Sequence, residues 1–134
     1  LWELTHIEHL PSKVDLFLTL GSPLGMNFVQ KRLLGSGENG ARRYPVNIRH
    51  WINVAAQGDL TALDNTLRDD FRPMLEHGLV ESLTDYNAGI FNYFRNAQGL
   101  NAHRSYGYLV NPRIGELIAR WWRGERRAAS RSPW

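Results

Sequence analysis

The 134-residue chain has no cysteine, which excludes a disulfide framework, a thiolate zinc site and a cysteine nucleophile together. Long apolar runs are missing too. Nothing in it approaches the roughly 20 consecutive apolar residues of a membrane-spanning helix, and Leu1 to Leu10 lacks the basic-then-apolar pattern of a secretory signal. A cytoplasmic chain without a transmembrane segment is therefore expected. His6 and His9 would share a helix face at three-residue spacing. No H-E-x-x-H pattern or third ligand accompanies them, so neither a metal nor another cofactor is expected. The GSGENG stretch at 35–40 lacks the G-K-[ST] ending by which a phosphate loop holds its anion.

Charge of one sign is not spread over the chain. Residues 113–134 hold six Arg against Glu116 and Glu125, or +4, so the rest, with ten basic and eleven acidic residues, is −1 of the total +3. A basic tail on a nearly neutral body differs from the basic face of a nucleic-acid-binding domain, and nucleic acid is not an expected partner. The competing reading pairs the terminal arginines with phosphates and stacks Trp121, Trp122 or Trp134 on bases.

What is present is core material: 43% apolar residues, with five each of Trp, Tyr and Phe. Val14 to Leu20 is a continuous apolar run suited to a strand covered on both faces, and Gly21-Ser22-Pro23 breaks it. Ile48 to Ala55 supplies a second strand, and the helix-sized connection between them favours parallel pairing. Leu63, Leu67, Phe71 and Leu75 form a helix face interrupted at Pro73. Leu79 to Tyr86 reads as a further strand or hairpin arm. Leu1 to Leu10 has helical character, opens without a capping residue and is ended by Pro11. The clearest helix comes last. Asn111 caps it, Pro112 fits its first turn, and Ile114, Leu117, Ile118, Trp121 and Trp122 make a buried stripe ending near Gly124. The expected class is α/β, with parallel strands flanked by helices across 1–124 and a basic, frayed tail at 125–134.

Two residues stand where chemistry is usually placed. Asp59 follows the second strand, and an acid at the carboxyl end of a strand is well sited on an α/β sheet. His103 lies in a loop with Asn101, Ser105, Tyr106 and Gly107, just ahead of the last amphipathic helix. Each also has a plain reading. Gly-Asp is common turn chemistry, and a loop imidazole is often no more than a backbone hydrogen-bonding partner. Asp85 is the alternative acid, or else an exposed residue before the Tyr86-Asn87 turn. Asp64 suits the first turn of the following helix. Ser22 is no nucleophile on this pattern, because Pro23 lacks the N–H that the residue after a nucleophile contributes to an oxyanion hole.

Taken in order, VDLFLTLGSPLG (14–25), RHWINVAAQGDLTALD (49–64) and NAHRSYGYLVNPRIGELIARWW (101–122) resemble the carboxy-terminal half of bacterial α/β-hydrolase-fold proteins of the lipase and esterase group. The resemblance spans about residues 1–122. It implies a partial α/β-hydrolase-like fold in which Asp59 orients His103 and His103 shuttles a proton. The serine would lie upstream on a G-x-S-x-G turn. No such turn occurs in the chain. The resemblance therefore implies a fragment inactive by itself, whose complete form hydrolyses a small ester or related acyl substrate and whose partner is the missing amino-terminal half. The reading from a different class is a non-enzymatic interaction module that pairs with a partner or with another copy of itself through an exposed sheet edge.

Overall fold

A computed structural model describes residues 1–59, 66–87 and 89–125. It is a mixed α/β structure. Helix α1 (Trp2–His6) leads to β1 (Val14–Leu20), a 3-10 turn (Pro23–Gly25), α2 (Asn27–Gln30), a second 3-10 turn (Gly40–Arg43) and β2 (Ile48–Val54). Helices α3 (Leu67–Asp70) and α4 (Arg72–Glu76) precede β3 (Ser82–Tyr86). A two-stranded hairpin, β4 (Arg95–Asn96) and β5 (Gly99–Leu100), then leads to α5 (Ser105–Leu109) and α6 (Pro112–Trp122). Leu63, Asp64, Trp134 and the tail beyond Glu125 lie outside the described residues.

The sheet is parallel and ordered β1-β2-β3, with Thr19 opposite Asn53 and Asn53 opposite Asp85. Side chains alternate between its two faces. On one face Leu16, Leu18, Leu20, Ile52, Val54 and Tyr86 pack with Tyr108, Ile114 and Leu117 of α5 and α6. On the other, Phe17, Trp51 and Leu83 pack with Leu67, Phe71 and Met74 of α3 and α4. Helices on both faces explain why β1 is a nearly continuous apolar run rather than an alternating one.

Three expectations need correction. Helix α1 stops at His6 rather than reaching Leu10, because the N–H groups of Ile7 and Glu8 both close on Glu3 O. His9, at φ 51°, then turns the chain before Pro11, so His6 and His9 do not share a helix face. The stripe of α6 is also narrower than its periodicity suggests: Ile114 and Leu117 are buried, whereas Ile118 is 44% and Trp122 89% exposed. Trp121 ends the packing by meeting the His50 ring at 5.0 Å. One residue further, a rotation of about 100° carries Trp122 into solvent.

Candidate functional site

Beyond Val54 the backbone continues at sheet level, with Ala55 N bonded to Tyr86 O and Gln57 N to Ile90 O. It then turns back on itself: Asp59 N donates to Ala56 O at 3.2 Å, and Gly58 takes φ +80°. This turn aims the Asp59 side chain inward, where it is wholly buried. A buried carboxylate needs hydrogen-bond donors. Tyr108 on α5 supplies one, its hydroxyl lying 2.6 Å from Oδ2. His103 Nδ1 lies 3.3 Å from Oδ1 and 3.4 Å from Oδ2.

The Tyr108 hydroxyl is itself fixed by accepting from Ala56 N at 2.9 Å. Burial, reinforced by the bond to Asp59, raises its pKa well above the ordinary phenol value, so the phenol stays a proton donor. Gly21 completes the floor. A Cβ there would stand 2.6 Å from Asp59 Oδ2 and 3.0 Å from the Tyr108 ring, and its φ of +59° suits glycine.

Asp59 and His103, 44 residues apart, are thus brought together at the carboxyl end of β2. Because an ionised carboxylate only accepts, contact with Nδ1 favours the tautomer whose proton sits on Nδ1, leaving the Nε2 lone pair as base. The histidine side chain is 51% exposed. One end of the pair is therefore dry while the ring remains open to a reactant.

Asp85 stands elsewhere. It projects to the face opposite Tyr86, where Oδ1 accepts from Asn53 Nδ2 at 3.0 Å and Oδ2 from Arg68 N at 2.9 Å. It thereby caps α3, whose own N-cap, Thr66, makes no side-chain capping bond. Burial is the leading cause of its raised pKa. The same polar row runs on through Asn53 Oδ1 to Thr19 Oγ1 and Trp51 Nε1. None of these contacts involves His103. Ser22 caps the 3-10 turn by accepting from Leu24 N at 3.3 Å. No cluster of three or more metal-ligating side chains occurs among the described residues, and no helix among them is long and apolar enough to cross a membrane.

Tyr108 and Gly21 are the site residues that sequence reasoning missed. The only signal for Tyr108 was an aromatic five residues after His103, which periodicity treats as core. No family model, curated protein or solved structure matches the chain.

Proposed function

We propose that this chain carries the acid and the histidine of a serine-hydrolase-type triad on a partial α/β-hydrolase-like fold, with the serine supplied from outside these 134 residues. The observation that carries this reading is the contact of His103 Nδ1 with a wholly buried carboxylate at the carboxyl end of a parallel strand. In the complete site His103 Nε2 takes the proton of the serine hydroxyl as its oxygen attacks the acyl carbon. His103 then gives that proton to the leaving alcohol. Water reverses the sequence to release the acid, while Asp59 stays ionised and orients the ring. The substrate class is an ester or related acyl compound.

A fluorophosphonate probe tests the proposal. The chain alone should remain unlabelled, and the chain extended by its in-frame upstream sequence should label at a G-x-S-x-G serine and lose most of that reactivity in His103→Ala. Labelling of the isolated chain at Ser22, or unchanged labelling in His103→Ala, would overturn it.

One observation favours a second reading, a self-associating module. Among the described residues β1 is paired only with β2, and all seven of its residues are half-buried rather than covered. An unpaired edge of this kind accepts another strand. Sedimentation velocity should then show a concentration-dependent dimer, and a monomer at every concentration would remove this reading.

A further inference from the structure

Asn92 belongs to no helix or strand, yet the residue is only 4% exposed. Its Nδ2 donates to Ala102 O and to Arg104 O, both at 2.8 Å, and its Oδ1 accepts from Phe94 N at 3.1 Å. Ala102 and Arg104 are the residues on either side of His103. One buried carboxamide therefore grips the backbone immediately before and after the histidine. Beside this clamp, Asn101 Oδ1 accepts from His103 N at 3.2 Å in an exposed bond, Arg104 N reaches Asn101 O at 3.3 Å, and Asn101 N donates to Phe94 O at 2.9 Å.

The room for this clamp is made by Gly107. A Cβ on Gly107 would overlap the Asn92 carboxamide, although the backbone there is an ordinary helical turn with no positive φ. The glycine is thus required by the neighbouring side chain and not by its own backbone.

We propose that Asn92 is the positioning residue for His103, holding the two flanking carbonyls so that Nδ1 meets Asp59. The proposal rests on the Asp59–His103 reading above. It follows from an asymmetry: Asp59 is anchored independently by Tyr108, whereas the half-exposed imidazole has its backbone fixed from the protein interior by Asn92. Replacing Asn92 removes a bond from each carbonyl at once, leaving Arg104 O to the helical turn, where it accepts from Gly107 N at 3.1 Å. A ring attached to a freed loop loses its register with a carboxylate that does not move. The pair then breaks without either member having been altered.

The test uses the full 134-residue chain labelled with 15N and long-range 1H–15N spectra that report which ring nitrogen of His103 carries the proton. The wild type should show the proton on Nδ1. Asn92→Ala and Gly107→Ala should each move His103 toward the averaged signal of a free imidazole, the first by removing the carboxamide and the second by expelling it. In the double variant the alanine methyl occupies the vacated space. Its thermal midpoint should recover above that of Gly107→Ala, while the His103 signal stays that of the single variants. This separation of stability from ring state is what a merely structural asparagine would not produce.

A native His103 signal in Asn92→Ala, or recovery of that signal together with stability in the double variant, would overturn the positioning role and leave the Asp59–His103 pair standing. A wild-type ring without the Nδ1 proton would overturn both.

Discussion

Tyr108 and Ala56 meet where the sheet ends: the phenol oxygen accepts from Ala56 N at 2.9 Å while donating to Asp59 at 2.6 Å. One hydroxyl thus ties the strand extension to the acid that emerges from it. Tyr108→Phe leaves the Ala56 N–H without this partner and Asp59 without its shortest donor. The expected loss is about 1–3 kcal/mol of unfolding free energy, the usual penalty for stranding a buried polar group. Urea denaturation measures it, and a change within about 0.5 kcal/mol, the scatter of an ordinary surface substitution, would show that the bridge is incidental.

The same phenol makes an alkaline prediction. Its pKa is raised in the folded chain, by burial and then by the Asp59 bond. Its contribution to stability is therefore complete below the ordinary phenol pKa of about 10 and lost as pH rises through the folded value. Tyrosinate absorbance should show a late phase, to which Tyr86, also raised by burial, contributes, and this phase should shrink by one ring in Tyr108→Phe. A Tyr108→Phe titration with the late phase intact would assign that phase to another tyrosine.

Gly21 and Gly58 offer a matched comparison. Both have positive φ, but a Cβ at Gly58 meets nothing within 4 Å, whereas at Gly21 it meets Asp59 and Tyr108. Gly58→Ala should cost about 1–2 kcal/mol from the left-handed backbone alone. Gly21→Ala should cost distinctly more and displace Asp59. Equal losses in chemical denaturation would mean that the floor beneath the acid yields freely.

Asp85 gives the opposite pH signature from a surface ion-paired carboxylate. Burial raises its pKa above the ordinary 3.8 despite the bonds from Asn53 and α3. The folded state thus holds this proton more tightly than the unfolded state. The contribution is fully present below about 3.8 and declines as pH rises through the folded value. Asp85→Asn carries no such titration, so the stability difference between wild type and variant should change across that interval. A constant difference would contradict the assignment.

Much of this arrangement was legible in the sequence, for identifiable reasons. β1 is bounded by Pro11 and by Gly21-Ser22-Pro23, and its predicted and observed spans are both Val14–Leu20. Helix α6 begins where Asn111 and Pro112 place it, with the asparagine side chain accepting from Arg113 N. The helix face expected through Leu67, Phe71 and Leu75, with an interruption at Pro73, is two short helices, with Phe71 as the junction and Pro73 in the first turn of the second. Proline suits a helix start and not an interior.

The site was legible only in part. Asp59 and His103 carry residue types and chain positions that chemistry favours, so they stood out. Tyr108 and Asn92 act through one hydroxyl and one carboxamide whose partners lie 52 and 49 residues away in Ala56 and Asp59, or 10 and 12 residues away in Ala102 and Arg104. No local pattern encodes such pairings. Ile118 and Trp122 misled for the converse reason: the periodic stripe takes in two i, i+4 positions on its edge that the packed face leaves in solvent.

The most direct test of the account is the ring state of His103 in the wild type and in Asp59→Asn. Long-range 1H–15N spectra near neutral pH should place the wild-type proton on Nδ1. In Asp59→Asn, where the amide no longer demands a donor, that preference should collapse toward the free-imidazole pattern. A wild-type His103 already showing the free pattern, unchanged in Asp59→Asn, would contradict the pairing on which the hydrolase reading depends.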